Sequence, residues 1–587
     1  MTSARVLVAA LSIATSVAGA SSGASGFGEE LRGKGRIPDR PEQLRFRDVP
    51  FEPPAAEALR FELSTGVPVF VAEDPAVPLF SVSLALPVGD RDDPPDRVGL
   101  ASLTAAMLRR GGAGELGADR FDEAADFLGI EIDSLAGGTR SGVWLEGSPH
   151  VLEPALDLLA DLVLEPRFEP ARVELALQNL RGSLEARNDD PLSVLEREWR
   201  ALLWGRRDPR ARAVEPRHLA AIDSAAMSDF HRTHWTARGA VFAVSGDVDS
   251  RAVVAALERR FGGWSAGRRA SLEGERPIAA RRAAETIRTG ATPRGVAGRA
   301  AEDAAGGVWW IGHRGPQGKL MLGHEGYRRA SWDDPDAWAL TVLAEVFGGP
   351  GAVSRVRRRL RAEESLVYRV RASFGIGHEA PGAFEVFLEV EPRGAVAAAS
   401  AAISEVERIR DETVPEVELE LAKRSLIDAF PLLFESPESV SGRFAEDALL
   451  GRPHRYWSIY RSRVDAVTAA DVRRVARRFL APERLRLLWV GPPLDEKDWL
   501  SLGLGPVREV VLGGVLDEEP PGGVVESEPG QPGREQPQDQ PVSGEHGSPA
   551  GGRGGHPADP PARGGSPRGR DQPPQPSAAS GYTSVSG

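Results

Sequence analysis

Apolar and polar residues follow two different periods along the chain, and these periods predict the order of its strands and helices. Residues 61–74 contain two β-forming runs around a Ser-Thr-Gly turn, which indicates a hairpin, and residues 80–86 alternate like a strand with one buried face. Residues 99–110 carry one broad apolar stripe at helical spacing, which predicts a helix. Later segments repeat these patterns, and they predict long helices at 151–164, 169–187, 192–203, 396–413 and 416–434.

The same order of elements occurs twice. Residues 222–246 align with residues 464–491 across a short gap, so that Asp223 matches Asp465 and Gly246 matches Gly491. Each half has the same order of elements: strands, a helix, further strands, long helices, another helix and a closing strand. Self-similarity on this scale seldom arises by chance, and we therefore predict a duplicated α+β unit of roughly 200 residues.

Composition marks the limits of these two units. Residues 1–20 combine Arg5, an apolar run and a small-residue Ala18-Gly19-Ala20 site, which predicts a signal peptide and a periplasmic or secreted protein. We predict an extended lead-in at 21–55, an N-terminal domain at 56–265, a linker at 266–307 and a C-terminal domain at 308–516. In residues 517–587, 29 of 71 residues are Pro or Gly and none is Leu, Ile, Phe, Trp or Met, which predicts a disordered tail.

Bulk composition excludes several classes of function. A formal charge of −13 argues against a nucleic-acid partner, because such binding depends on Lys and Arg that neutralise phosphates. The chain has no cysteine, so thiolate ligands and cysteine nucleophiles are excluded. No segment reaches the ~20 apolar residues of a membrane-spanning helix. Phosphate-loop, nucleophile-elbow, H-E-x-x-H and H-x-x-E-H motifs do not occur, and we interpret His231 and His234, three apart on a predicted helix, as surface histidines.

One stretch, residues 354–368 (SRVRRRLRAEESLVY), follows three glycines and changes from a basic helical pattern to β-forming residues. Charge runs usually form a solvated helix face. We therefore predict that Arg357, Arg358 and Arg359 face the solvent or a partner. Arg361 and Tyr368, however, stand seven residues apart across the predicted junction between helix and strand.

Within the duplicated context, the chain resembles the pitrilysin/insulinase-like metallopeptidases, the inverzincins, over roughly residues 61–491. Four segments carry the resemblance. FELSTGVPVFVAEDPAVPLFSVSLAL is similar to the family's opening hairpin, and GLASLTAAMLRRGG is similar to its metal-binding helix. VELALQNLRGSLEARNDDP is similar to the helix with the third metal ligand, and FGGPGAVSRVRRRLRAEESLVY is similar to the glycine-rich Arg/Tyr segment. The resemblance implies an α+β fold of two homologous metallopeptidase-like domains. Each is expected to be an antiparallel sheet with helices on one face, and together they would form half of a clamshell.

The metal site of the family is degenerate in this sequence. Catalytic members carry two histidines and a glutamate on the first helix, and the matching positions here are Ser102, Ala106 and Ala105. The third ligand of the family, a glutamate, falls at about Arg181 or Gly182. Glu174 and Glu185 stay open as displaced ligands. Because zinc sites normally need three protein ligands, the resemblance implies that this chain binds no cofactor of its own.

The second half of the site is kept. In the family, an arginine binds the substrate backbone and a tyrosine donates to the oxyanion at the scissile carbonyl, and Arg361 and Tyr368 fall on those positions. The resemblance therefore implies a supporting subunit that pairs with a zinc-bearing homologous subunit and acts on a peptide substrate.

Two other interpretations stay open. The chain could be a non-enzymatic peptide-binding or scaffold protein of the same fold, with Arg361 paired to Glu363 or Glu364 and Tyr368 packed in a strand. Ser102 as a nucleophile is disfavoured, because no His or Lys lies within several residues to act as its base.

Overall fold

The computed structural model describes residues 51–266, 306–351 and 354–512. The predicted signal peptide at 1–20, residues 21–50 of the lead-in, nearly all of the predicted 266–307 linker and the 517–587 tail lie outside the described residues. Within the described residues, no helix is both long enough and apolar enough to cross a membrane.

The N-terminal half contains six strands and nine helices among its described residues. Its strands are β1 (Arg60–Glu62), β2 (Pro68–Glu73), β3 (Phe80–Leu86), β4 (Glu131–Gly137), β5 (Arg140–Gly147) and β6 (Val241–Gly246). Its helices are α1 (Ala56–Leu59), α2 (Leu100–Arg110), α3 (Ala118–Leu128), α4 (Leu152–Leu164), α5 (Pro170–Glu185), α6 (Pro191–Trp204), α7 (Pro216–Leu219), α8 (Ser224–His234) and α9 (Ser250–Phe261).

The C-terminal half repeats this order. Its strands are β7 (Gly307–Gly312), β8 (Gly318–Glu325), β9 (Tyr327–Arg328), β10 (Arg369–Phe374), β11 (Ile376–Gly377), β12 (Ala383–Val390), β13 (Arg486–Gly491) and β14 (Val507–Glu509). Its helices are α10 (Pro335–Gly348), α11 (Arg355–Arg357), α12 (Ala395–Asp411), α13 (Glu416–Ala429), α14 (Pro437–Leu450), α15 (Tyr456–Asp465), α16 (Ala469–Phe479) and α17 (Glu496–Leu500).

The two main sheets have matching strand orders, β1-β2-β6-β3-β5-β4 and β14-β7-β13-β8-β12-β10. In both, the closing strand lies between one parallel and one antiparallel neighbour: β6 between β2 and β3, and β13 between β7 and β8. The predicted duplication and α+β class are therefore confirmed. The sheets are mixed rather than wholly antiparallel, because the closing strand of each half returns to pair with the first long strand of that half in the same direction.

The alternation of side chains along the central strands shows that the N-terminal sheet has two apolar faces. Val69 and Val71 of β2 point into the main core of this half, whereas Phe70 between them points to the other face. That face is covered by α14 from the C-terminal half, where Phe444 contacts Phe70 with ring centroids 6.1 Å apart. Arg140 of β5 also forms a 3.0 Å ion pair with Glu446 of α14.

The C-terminal sheet is completed in the same way by a helix of the N-terminal half. Helix α6 packs on β8 and β13, and its Val194, Leu195 and Trp199 join a buried cluster with Met321, Phe387, Leu488 and Val490 of the sheet. Trp199 also donates its indole Nε1–H to Glu385 on β12 at 2.7 Å. Burial raises the pKa of the Glu385 carboxyl, and the Trp199 hydrogen bond opposes that rise.

Helices α6 and α14 occupy the same place in the two repeats, so the exchange is reciprocal. Both helices begin with a proline, and the residue before it caps the helix with its side chain. Asp190, which precedes Pro191, accepts a hydrogen bond from the Ser193 amide. Ser436, which precedes Pro437, accepts one from the Ser439 amide. Each half packs its own helices on one face of its sheet, as predicted. The second face is covered by the other half, and helix α14, which covers it in the N-terminal sheet, was not among the predicted elements.

We predict that Trp199→Ala destabilises the whole chain by about 3–5 kcal/mol, because it leaves a cavity in the cluster under α6 and removes the donor to a partly buried carboxylate. Urea denaturation measures this change. Leu175→Ala is a suitable control, since Leu175 is 50% exposed on α5 and its truncation is expected to cost less than about 0.5 kcal/mol. Equal stability of the Trp199 variant and the wild type would show that α6 does not hold the halves together.

Candidate active site

The basic stretch at 354–368 forms an irregular helix. Its first turn, α11, continues as a π-helix over Arg358–Glu363, where the sequence predicted a regular helix. π-Helices are rare and are frequently found at functional sites. Here the widened turn precedes Tyr368 by five residues and contains Arg361.

Two buried ion pairs fix this helix in place. Arg355 is buried and makes two 2.8 Å hydrogen bonds to the Glu418 carboxylate on α13. Arg359 pairs at 2.8 Å with Glu405, which is buried on α12, and at 2.9 Å with Glu364. The interpretation of Arg359 as a solvent-facing charge is therefore wrong, because its guanidinium ties the π-helix to α12.

The chain then turns into the edge strand of the C-terminal sheet. Ser365 has a positive φ of 51°, a conformation that costs a non-glycine residue ~1–3 kcal/mol and clusters at functional sites. The Leu366 amide donates to the Leu360 carbonyl at 2.8 Å, and the Tyr368 amide donates to the Glu389 carbonyl at 2.9 Å. Tyr368 stands directly before β10, with its side chain 67% exposed.

The structure brings the two predicted site residues together. A cavity of about 320 Å³ is lined by Arg357, Arg361, Tyr368, Arg369, Val370 and Arg371. We call it the Arg/Tyr cavity. The alternation Arg369-Val370-Arg371 on β10 places both of these arginines on the exposed side of the strand, while Val370 is buried. Arg357, Arg369 and Arg371 were not predicted as site residues, although the alternation along β10 was a usable signal for the last two.

The charges of the Arg/Tyr cavity are only partly compensated. Arg369 lies 3.8 Å from Glu389, and the Arg371 guanidinium lies 4.9 Å from the centre of the Phe387 ring. Within the described part of the chain, Arg361 forms no ion pair; Glu363 and Glu364 pair instead with Arg358 and Arg359. The pairing of Arg361 with Glu363 or Glu364 and the packing of Tyr368 inside a strand are therefore both wrong. The cavity presents guanidinium and phenol donors to a carbonyl or carboxylate oxygen.

The degenerate metal positions lie on α2 and α5 in the N-terminal half. Ser102 donates its hydroxyl to Asp90 at 2.7 Å, and Ala105 is fully buried with its carbonyl accepting from Ser134. Ala106 is half-buried, and Gly182 is exposed on α5, where an added Cβ would meet open space among the described residues. Zinc at this position would need imidazole and carboxylate ligands. The four positions supply only a hydroxyl that is already hydrogen-bonded to a carboxylate, two methyl groups and a glycine.

The other candidate ligands do not repair this site. Glu174 is exposed and accepts from Gln178 and Arg181, both at 3.2 Å, while Glu185 is exposed at the end of α5. Across residues 51–266, 306–351 and 354–512, no group of three or more His, Asp or Glu side chains is placed to hold a metal ion. The residues present at the family's zinc position do not fit zinc.

His231 contradicts the interpretation of the α8 histidines as surface residues. Its side chain is buried, and its Nε2 lies 2.9 Å from the Val163 carbonyl at the end of α4. Burial lowers the pKa of His231 to about 4, so the ring is neutral at physiological pH. His231 therefore connects α8 to α4.

The start of α2 depends on a buried carboxylate. Asp93 accepts hydrogen bonds from the backbone amides of Gly99 and Ala101, both at 2.7 Å, and Arg212 donates to the Asp93 carbonyl at 2.9 Å. Gly99 adopts a left-handed φ of 98°, and an added Cβ would lie 2.9 Å from a Val214 methyl group, so only glycine fits there. These contacts keep the family's helix in position although its ligands are gone.

Comparisons with known proteins agree with this geometry. The family model described as insulinase (peptidase family M16) matches residues 69–207, and the model described as the peptidase M16 inactive domain matches residues 221–426. The chain belongs to the M16 insulinase peptidase family.

Several relatives of this M16 chain have names that describe peptidases. An uncharacterized zinc protease of Mycobacterium bovis is 27% identical over 438 residues, which cover 74% of this chain and 94% of the relative. One of Mycobacterium leprae is 28% identical over 447 residues, covering 76% and 94%. A probable mitochondrial-processing peptidase subunit beta of Arabidopsis thaliana is 20% identical over 460 residues, covering 74% and 79%.

Two solved structures share the fold. The crystal structure of a peptidase M16 inactive domain from Pseudomonas fluorescens superposes with a TM-score of 0.62 at 20% identity, covering 74% of this chain and 98% of that chain. A protease from Helicobacter pylori superposes with a TM-score of 0.60 at 15% identity, covering 74% and 99%. The two-domain α+β architecture is thus that of M16 proteins.

We predict a pH-dependent stability difference between the wild type and Asp93→Asn. Burial raises the pKa of Asp93 from 3.8 to about 6, so between these values the unfolded chain loses its proton while the folded chain keeps it. The stability contributed by this group therefore falls as the pH rises from about 4 to about 6 and levels off above. Urea denaturation of both proteins at several pH values measures this, and wild-type stability relative to the non-titrating variant is expected to fall. A difference that stays constant or rises with pH would contradict this expectation.

Proposed function

We propose that this chain is the zinc-free subunit of an M16 metallopeptidase, which pairs with a zinc-bearing homologue and completes that partner's active site. The observation that carries the proposal is a contrast between its two halves. Arg361 and Tyr368 line one open cavity in the C-terminal half, whereas helix α2 of the N-terminal half has, among the described residues, no group that fits zinc.

In the proposed complex, zinc in the partner supplies the Lewis acid and the activated water for peptide-bond hydrolysis. Arg361 binds a carbonyl of the substrate backbone, because its guanidinium is exposed and has no ion-pair partner within the described residues. The Tyr368 phenol donates a hydrogen bond to the oxyanion that forms at the scissile carbonyl. A preorganised donor of this kind contributes about 10²–10³ in rate.

The rigidity of the segment supports this role. The ion pairs Arg355–Glu418 and Arg359–Glu405 hold the N-terminal end of the π-helix, and the hydrogen bond from the Tyr368 amide to the Glu389 carbonyl fixes the start of β10. Donors held in this way need little reorganisation when charge develops on the substrate.

The comparisons support the same assignment in a general way. The relatives include proteins named zinc proteases and one named as a subunit of a processing peptidase, and the model that matches residues 221–426 is described as an inactive domain. The proposal places the pair in the periplasm or outside the cell, because residues 1–20 have the pattern of a signal peptide.

The test is co-purification with a zinc-bearing homologue from the same genome, followed by peptidase assays. We predict that Arg361→Ala combined with Tyr368→Phe lowers kcat/KM of the pair by at least about 10²-fold, while the partner keeps its zinc. Arg463→Ala is the matched control, since Arg463 is an exposed arginine of the same half that does not line the Arg/Tyr cavity.

Unchanged kcat/KM in the double variant would overturn the catalytic role. Peptide binding by the chain alone, with no hydrolysis in any pairing, would instead support the alternative of a non-enzymatic peptide-binding or scaffold protein.

A further inference from the structure

A second cavity lies at the C-terminal end of α5. It has a volume of about 450 Å³ and lies between the end of α5, the start of α6 and the segment 211–214. Its charged lining residues are Arg187, Arg197, Arg200, Arg212, Asp90 and Asp190. We call it the junction cavity, because α6 crosses from the N-terminal half to the C-terminal sheet.

The four arginines and two aspartates leave the junction cavity with a net charge of +2. The aspartates are satisfied by neutral donors: Asp90 accepts from Ser102 and the Gly138 amide, and Asp190 caps α6 through Ser193. Neither forms an ion pair with an arginine of the lining within the described residues.

Arg197 is the one arginine of the four that forms an ion pair within the described residues. It pairs at 2.9 Å with Glu198, which is buried, and also donates to the Asn188 side chain at 2.7 Å. Arg197 therefore serves the structure of the junction, and the remaining three arginines are the candidate ligands of the cavity.

Arg187, Arg200 and Arg212 form no ion pair in the part of the chain that the structure describes, and their hydrogen bonds go to backbone carbonyls. Arg187 donates to Val214 at 3.1 Å, Arg200 uses only its Nε toward Glu196 at 3.2 Å, and the terminal nitrogens of Arg212 donate to the loop 90–93. The Nε of Arg212 is buried without a hydrogen-bond partner among the described residues. Guanidinium donors are thus left over in the lining of the cavity.

The lining also includes apolar residues. Leu180 and Leu184 from α5 and Val214 from the opposite segment supply its larger aliphatic side chains. Cavities of about 300–1,000 Å³ with an apolar wall and a few polar groups are typical of small-molecule sites. Guanidinium groups match carboxylates in both charge and geometry, because their N–H groups bind both oxygens at once.

We propose that the junction cavity binds a carboxylate carried on an aliphatic body, with Arg187 and Arg200 as its principal ligands. The C-terminus of a short peptide and a fatty acid share this chemistry. The aliphatic part lies against Leu180, Leu184 and Val214, and the carboxylate replaces water at the terminal nitrogens of the arginines. This proposal does not depend on the proposed role in peptide hydrolysis.

Isothermal titration calorimetry at low ionic strength tests the proposal with the full chain and three probes: acetyl-Leu-Ala-Leu with a free carboxylate, the same peptide as its C-terminal amide, and octanoate. We expect at least one of the two carboxylates, the peptide acid or octanoate, to bind. If the peptide acid binds, its affinity is expected to exceed that of the peptide amide at least about tenfold, since one charge-assisted contact is worth roughly that factor. Comparison of the peptide acid with octanoate identifies which source of the carboxylate the cavity prefers.

Arg187→Gln with Arg200→Ala is expected to weaken carboxylate binding at least about tenfold while leaving the Tm unchanged, because neither side chain is part of an ion pair within the described residues. Arg212 is left intact, since it holds the loop 90–93. Arg207→Ala, at an exposed arginine close in sequence that does not line the junction cavity, is expected to bind as the wild type does.

Three results would overturn the proposal. In the first, neither carboxylate binds at millimolar concentration. In the second, the acid and the amide of the peptide bind with equal affinity. In the third, binding is lost in Arg361→Ala but not in the Arg187/Arg200 variant. The last result would place the ligand in the Arg/Tyr cavity instead.

Discussion

Burial of both faces of each central sheet is the constraint on which the rest of the structure depends. The closing strands β6 and β13 are apolar on both sides, and the helices of one half cover only one of them. The reciprocal exchange of α6 and α14 covers the other, with Trp199 and Phe444 as the largest contacts. Because each half supplies a layer of the other's core, the two halves fold as one cooperative body, and the positions of both cavities relative to the sheets are fixed.

The same framework explains how a metallopeptidase fold persists without its metal ligands. Helix α2 is held by Asp93, Gly99 and the packing of its apolar face, and none of these contacts requires zinc. The Arg/Tyr cavity is held by separate ion pairs to α12 and α13. The contacts that hold α2 are therefore separate from those that hold the Arg361–Tyr368 segment, so the absence of metal ligands on α2 leaves that segment undisturbed.

The sequence was sufficient for the parts that depend on local patterns. Apolar periodicity predicted α2, α4, α5 and the closing strands, and the match of residues 222–246 to 464–491 predicted the duplication that the two sheet orders confirm. The sequence was not sufficient to predict contacts between residues that lie far apart along the chain. The exchange of α6 and α14, the burial of Arg359 against Glu405 and the gathering of Arg357, Arg369 and Arg371 around Tyr368 all follow from tertiary contacts that no local pattern encodes. The π-helix was missed because residues 358–363 carry an ordinary helical composition.

The most direct test of a zinc-free role is the zinc content of the purified chain, measured by mass spectrometry after dialysis against micromolar zinc. We expect far less than one zinc per chain, because Ser102, Ala105, Ala106 and Gly182 supply no ligand set. One zinc per chain that survives dialysis, and that is lost in Glu174→Gln or Glu185→Gln, would contradict it.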